Sequence, residues 1–246
     1  TDDTIIDESI PDCYADLGFK TVSTNPCGEI PLCPYDSCRL LAVNLYSYVE
    51  NPFTEGATFN YEKFNKHVGM AQRIMDDIVD LEMEKVNTII GKIESDPESE
   101  EIKRTELNLW RNIKTKAIQG RRTGVGITAE GDMLAALGLK YGTPEATTFS
   151  TDVHKNLALA AYRSSVDMAR DRGAFPIYDS IREEKNPMVN RIKDADPALY
   201  DDMVKYGRRN IALLTIAPTG TTSLMTQTSS GIEPVFMVSY KRRKKV

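Results

Sequence analysis

The chain has 246 residues, a mass of 27.5 kDa and a formal net charge of −5. With 41% hydrophobic and 27% charged residues it has the composition of a globular protein, long enough to bury a core without a disulfide framework. Net acidity argues against a general nucleic-acid coat, no run of about eighteen apolar residues reads as a membrane helix, and the acidic opening TDDTIIDESIPD is unlike a secretory signal.

These features predict a cytoplasmic protein with neither membrane nor direct nucleic acid as partner. Neither end reads as a natural terminus. No Met opens the chain, and the basic run KRRKKV follows directly on the strand-like PVFMVSY.

In chain order, residues 21–36 (TVSTNPCGEIPLCPYD) read as loop, because Pro26, Gly28, Pro31 and Pro34 forbid a regular helix. Residues 37–49 predict a buried strand. A long helix is expected from about Asn60 to Gly91. Its apolar face is Phe64, Val68, Ala71, Met75, Ile78 and Leu81, continuing through Val86 and Ile90.

The charged stretch 91–106, with Pro97, predicts an exposed connection to a second helix over 107–119. Next come the glycine-rich GRRTGVGIT (120–128) and a short helix closed by Gly138. A helix over 150–172 would be capped by Ser150 or Thr151 and would bury Leu157, Ala161, Val166 and Ala169. A short helix runs from Pro197 to about Tyr206. The apolar run 211–217 then has the pattern of a strand buried on both faces, ending in PTGTTS (218–223). Strands alternating with long helices predict an α/β protein with a mostly parallel sheet or barrel.

The four cysteines, Cys13, Cys27, Cys33 and Cys38, fall in one short stretch. Their gaps miss the close pairs of a zinc ribbon, and His67 and His154 are distant, so no metal site is expected. Cys13 and Cys33 read as small buried apolar residues.

In NPCGE, Asn25, Cys27 and Glu29 alternate, so in an extended loop tip they would share one face. A thiol beside a carboxylate is a poor nucleophile, but one that reacts as a neutral hydrogen-atom donor is unharmed by it. Glu29 could then serve as a general base and Asn25 as a hydrogen-bond donor. A tight structural turn is the alternative.

Pro218, Thr219, Gly220, Thr221, Thr222 and Ser223 offer hydroxyl and backbone donors at the end of a strand. They suit either a phosphate or an ordinary capped turn. Arg121 and Arg122 could cradle an anion, but GRRTGVG lacks the dinucleotide order, and close packing better explains Gly124 and Gly126.

Taken together, STNPCGEIPL (23–32), SCRLLAVNL (37–45), GRRTGVGI (120–127) and RNIALLTIAPTGTTSLMTQTSSGIEPVF (209–236) resemble the catalytic subunit of ribonucleotide reductase, most closely its adenosylcobalamin-dependent class. The resemblance implies part of a ten-stranded α/β barrel with a central finger loop. It implies that ribonucleoside di- or triphosphates are reduced by thiyl-radical chemistry. Cys27 would carry the radical and remove the ribose 3′ hydrogen, Glu29 would take the 3′ hydroxyl proton, and Asn25 would hold the sugar hydroxyls. Cys38 would be one of two reducing thiols, and Pro218 to Ser223 would hold the substrate phosphates. Adenosylcobalamin and an external dithiol such as thioredoxin are the implied cofactors.

No cysteine here matches the family's second reducing thiol upstream of the finger loop, nor its C-terminal shuttle cysteines. The chain is therefore expected to be a fragment, inactive alone, partnered by a missing upstream half of the barrel and able to form a homo-oligomer. Two other readings remain at this point: a non-catalytic nucleotide-binding or assembly half of a split enzyme, and another thiyl-radical barrel enzyme.

Overall fold

The structure is a computed structural model that describes residues 12–37, 39–239, 241 and 243. A short 3-10 segment, Asp12–Leu17, opens it, followed by the antiparallel pair β1 (Ser23–Thr24) and β2 (Pro31–Leu32). β3 (Leu41–Asn44) runs into a 3-10 turn, Leu45–Tyr48, and then the small pair β4 (Val49–Glu50) and β5 (Thr58–Phe59). The expected strand over 37–49 is thus only four residues long. The Asn44 side chain accepts the Tyr46 N–H at 3.1 Å and turns the chain into the 3-10 geometry.

Helices dominate the rest of the chain: α1 (Tyr61–Ser95), α2 (Glu100–Gly120), α3 (Glu130–Ala136) after β6 (Val125–Thr128), then α4 (Pro144–Arg172), α5 (Ser180–Glu183), α6 (Pro187–Ala195), α7 (Pro197–Tyr206) and α8 (Gly220–Thr226). The start of α1 falls where expected, with Asn60 accepting the Lys63 N–H at 2.9 Å.

Its end does not. The charged residues of 91–106 are good helix formers, so they extend α1 and start α2, leaving only 96–99 around Pro97 as the connection. Glu100 and Glu101 sit in the first turn of α2, where the helix dipole favours them. The buried face of α1 also differs from the expected stripe. Val79 and Met83 are buried, whereas Ile78 and Leu81 are exposed.

α4 begins six residues before the expected 150, because Thr143 caps it and Pro144 occupies its first position. Between α4 and α7, the short helices α5 and α6 carry no periodic apolar stripe long enough to announce them.

The centre is a parallel pair. Leu41, Ala42, Val43 and Asn44 of β3 stand beside Val125, Gly126, Ile127 and Thr128 of β6, with α1 and α2 as the crossover between them. Residues 211–215 extend this pair: Val125 N–H donates to Leu213 O at 2.8 Å and Thr215 N–H to Val125 O at 3.1 Å.

This third segment is not buried on both faces as expected. Ile211, Leu213 and Thr215 are buried while Ile216 is 41% exposed, the alternation of a segment covered on one side. The strand-like 234–239 forms no strand, and Val235, Phe236 and Val238 are exposed. Among the described residues the sheets are three two-stranded pairs and no closed barrel forms.

The main core lies between this pair and α1, α4 and α7, where Phe64, Val68, Met75, Ile127, Leu157, Val166 and Leu213 pack together. A second core carries a buried ion pair. Arg208, fully buried, meets Glu183 at 2.7 Å and its guanidinium lies over the rings of Phe175 and Tyr162. Glu183 also accepts from Tyr14 Oη at 2.8 Å and Asn186 Nδ2 at 2.9 Å, so the opening 3-10 segment is fastened to α5. No helix of the described residues is long and apolar enough to cross a membrane.

Candidate active site

NPCGEI is the tip of the β1–β2 hairpin. Asn25 closes it: its N–H donates to Ile30 O at 3.1 Å, its Oδ1 accepts the Ile30 N–H at 3.0 Å, and its carbonyl accepts the Gly28 N–H at 3.0 Å. Gly28 has φ 80°, a left-handed conformation that a side chain would strain. The tip is therefore a turn and not extended chain, so the strict alternation of Asn25, Cys27 and Glu29 is lost. Cys27 and Glu29 turn into one cavity, while Asn25 is absent from its lining and holds the turn.

That cavity has a volume of about 320 Å³. It is lined by Cys27 and Glu29 of the hairpin, Leu41 and Ala42 of β3, Gly126 and Ile127 of β6, and Thr215 with residues 217–222. Cys27 is exposed and not disulfide-bonded. Oε2 of Glu29 is buried with no hydrogen-bond partner, an acceptor aimed at something other than protein. The Glu29 carbonyl accepts the Thr215 hydroxyl at 2.9 Å, which ties the hairpin to the 211–215 segment. A larger depression of about 1040 Å³ at the α1–α2 tip, lined by residues such as Glu94, Glu101, Lys103 and Arg111, brings no thiol to its charges.

The bend after 217 leads into α8. The first helical bond of α8 is Ser223 N–H to Thr219 O at 2.8 Å, so the N–H groups of Gly220, Thr221 and Thr222 have no partner within the helix. Thr219, Gly220, Thr221 and Thr222 line the cavity together with Pro218. Ser223 does not. It is buried, and its hydroxyl donates to Gly220 O at 3.1 Å.

Thr219 itself has φ 51°, and its Oγ1 accepts the Gly231 N–H at 2.8 Å and lies 2.9 Å from the Thr128 hydroxyl. Thr128 also donates to Ser229 O at 3.3 Å, and Asp132 accepts the Ser229 N–H at 2.8 Å. Sequence reasoning singled out none of Thr128, Asp132 and Thr215. The SSGIEP wording at 229–234 was the one local sign of this arrangement.

Several sequence candidates are engaged elsewhere. Arg121 is buried against Asp76 at 2.8 Å and Asp80 at 2.7 Å, and Arg122 against Asp36 at 2.6 Å, so neither cradles an anion. Gly124 and Gly126 serve packing, since an added Cβ would lie 2.7 Å from Arg39 O or 2.1 Å from Thr215 O.

Cys33 is buried as expected, and burial, reinforced by Asp36, pushes its thiol up to about 11. Cys13 is only half-buried, yet burial still pushes its thiol up to about 12. Cys38 lies outside the described residues. His67 meets the Tyr48 hydroxyl and His154 meets Glu130 at 2.9 Å, both away from the cavity lining.

Oxygens of Asp76, Asp77 and Asp80 lie within 4.8 Å of one another, but Arg121, Arg172 and Arg209 neutralise them. Burial alone would raise the Asp76 carboxyl; Arg121 and Arg209 outweigh it and hold the group below the usual carboxylate value.

The chain is similar to known proteins in sequence and in fold. The family described as "Ribonucleotide reductase, barrel domain" matches residues 18–246. A vitamin B12-dependent ribonucleoside-diphosphate reductase of Mycobacterium tuberculosis (strain CDC 1551 / Oshkosh) is 30% identical over 220 residues, covering 89% of this chain and 25% of that protein. The enzyme of the same name from Thermoplasma acidophilum is also 30% identical over 220 residues, covering 89% of this chain and 23% of the relative.

Among solved structures, the Actinobacillus ureae class Id ribonucleotide reductase alpha subunit superposes with a TM-score of 0.57 at 18% identity. That likeness in fold covers 92% of this chain and 34% of that one. The chain thus spans about a quarter of the length of the two curated relatives.

Proposed function

Since the chain belongs to the ribonucleotide reductase barrel-domain family, we propose that it is the part of a ribonucleotide reductase that holds the reacting sugar, converting ribonucleotides to deoxyribonucleotides by thiyl-radical chemistry. The observation that carries the reading is one cavity lined by Cys27, by Glu29 with its unpartnered Oε2, and by the 217–222 bend. In this reading β3, β6 and residues 211–215 are part of a ten-stranded α/β barrel with the β1–β2 hairpin as its finger loop, completed by segments outside this chain.

The roles follow from the chemistry of each group. A neutral Cys27 exchanges hydrogen atoms with the ribose 3′ carbon, which a neighbouring carboxylate does not hinder. Glu29 receives the 3′ hydroxyl proton, its buried Oε2 being unclaimed by any protein donor. Asn25 lies off the cavity lining with its Oδ1 committed to the Ile30 N–H, so it acts by holding the turn that presents Cys27 and Glu29 to the sugar. The substrate phosphates lie against Thr219, Gly220, Thr221 and Thr222, with Pro218 and Ser223 shaping the bend. Cys38 is one of the two thiols that end as a disulfide, restored by an external dithiol such as thioredoxin.

The two curated relatives are named as vitamin B12-dependent, and the residues present fit a radical generated by adenosylcobalamin: Cys27 lines the cavity, is exposed and is not disulfide-bonded. Adenosylcobalamin, when bound, would supply the hydrogen-abstracting radical that Cys27 receives.

The test is deoxyribonucleotide formation by the complete enzyme, with and without adenosylcobalamin. Cys27→Ser is expected to abolish product, because an alcohol O–H bond is too strong to yield the radical. Normal turnover by that variant would overturn the assignment, and multiple turnovers by the isolated 246 residues would overturn the fragment reading.

A further inference from the structure

Thr219 is the least comfortable residue of the cavity wall. A β-branched side chain at φ 51° is an outlier, and such a conformation persists only where the surroundings over-determine it. The surroundings are a short relay of hydrogen bonds. Gly231 N–H donates to Thr219 Oγ1 at 2.8 Å, Thr219 and Thr128 hydroxyls lie 2.9 Å apart, and Thr128 Oγ1 lies 3.3 Å from Ser229 O.

A carbonyl only accepts, so a single direction uses every proton: Thr219 O–H donates to Thr128 Oγ1, and Thr128 O–H donates to Ser229 O. Asp132 takes the Ser229 N–H at 2.8 Å, and Glu130 N–H donates to Gly231 O at 3.3 Å. Thr128 is fully buried at the last position of β6, directly after Gly126 and Ile127 of the cavity lining. It is the point at which the paired strands grip the loop side of the site.

We propose that Thr128 is a positioning residue for the substrate-phosphate bend, holding Thr219 in its left-handed conformation through its hydroxyl and through Ser229–Gly231. The proposal rests on the phosphate-binding reading of that bend. Thr128 is absent from the cavity lining, so it acts on substrate through Thr219 alone. Phosphates are bound alike in the ground and transition states, so loosening the bend weakens binding and leaves the chemical step intact.

The experiment compares Thr128→Val, Thr128→Ser and Thr221→Ala in the complete enzyme, measuring KM and kcat for the ribonucleotide and the melting temperature of each. Thr128→Val keeps the shape and removes the hydroxyl. It is expected to raise KM about tenfold, the size of one lost buried hydrogen bond, with kcat within about twofold of the parent. Thr128→Ser restores the parental KM, which a purely steric role for the residue would not produce.

An unchanged KM in Thr128→Val beside a lowered melting temperature overturns the proposal, leaving Thr128 a stabilising residue only. If Thr221→Ala raises KM while Thr128→Val does not, the positioning role falls and the phosphate reading stands. If neither variant moves KM, the phosphate reading falls and this proposal with it. Should Thr128→Val fail to fold, Asp132→Ala carries the test. It releases Ser229 from the other side, and an unchanged KM there counts against the proposal in the same way.

Discussion

Gly126 is the narrowest point of the fold and of the site together. A Cβ added there would lie 2.1 Å from the carbonyl oxygen of Thr215, about 0.9 Å inside the 3.0 Å that real Cβ atoms keep. The obstacle is the backbone of Thr215 and Ile216, so no rotamer change relieves it. Residues 213–215 must move off β6.

Overpacking of this kind costs about 2 kcal/mol, and lengthening the flanking Val125–Leu213 and Thr215–Val125 bonds adds about 1 kcal/mol for each one weakened. Gly126→Ala is therefore expected to destabilise by about 3–4 kcal/mol in urea unfolding. The same displacement carries the 217–222 bend away from Cys27, so ribonucleotide binding should weaken as well. Gly91→Ala is the control. It sits in the interior of α1 with nothing within 4 Å of its Cβ, and is expected to stabilise by about 0.5–1 kcal/mol. Equal stability of Gly126→Ala and the parent would refute the close approach on which the architecture of the site depends.

Two further expectations concern ionisation. Arg121 and Arg209 hold the Asp76 carboxyl below its ordinary 3.8, so its stabilisation is fully present above about pH 4 and is lost as the pH falls through the lowered value. Asp76→Asn should cost about 3 kcal/mol at neutral pH, because Arg209 loses its carboxylate and buried Arg121 keeps only Asp80. It should also flatten the acid limb of the stability curve; an unchanged acid limb would show that other carboxylates set it. Iodoacetamide at pH 8 should modify exposed Cys27 well before Cys33, whose thiol, at about 11, is ionised in only about one molecule per thousand at that pH. Peptide mapping that found Cys33 alkylated first would contradict the burial assigned to it.

Local signals carried far in some places. Asn60, Pro197 and the turn residues of NPCGE act on their immediate neighbours, so the start of α1, the bounds of α7 and the non-helical hairpin tip were legible from residue type. The pairing of Cys27 and Glu29 in one cavity was legible too, although the turn at Gly28 takes Asn25 out of that set.

Periodicity was less decisive where two apolar stripes share a helix. Met70, Ile74, Ile78 and Leu81 of α1 follow helical spacing as well as Val68, Met75, Val79 and Met83 do. Only the positions of α2, α4 and the parallel pair decide that the second set is buried: Val68 and Met75 pack in the main core, and Met83 packs with Val86 against Ala117 of α2.

The sequence alone determined the chemistry available: a thiol, a carboxylate and an amide on a hairpin that proline and glycine keep out of a helix, and a hydroxyl-rich bend after an apolar run. Tertiary structure decided which groups are free to use it. Arg121 and Arg122 could serve an anion on paper, yet their ion pairs with Asp76 and Asp36 span 45 and 86 residues of chain. Thr128 is an ordinary strand residue until the fold sets it against Thr219, 91 residues on, and Ser229, 101 residues on. Such contacts are fixed by how β3, β6 and residues 211–215 align, a global balance of burial and backbone pairing that no short window of sequence contains.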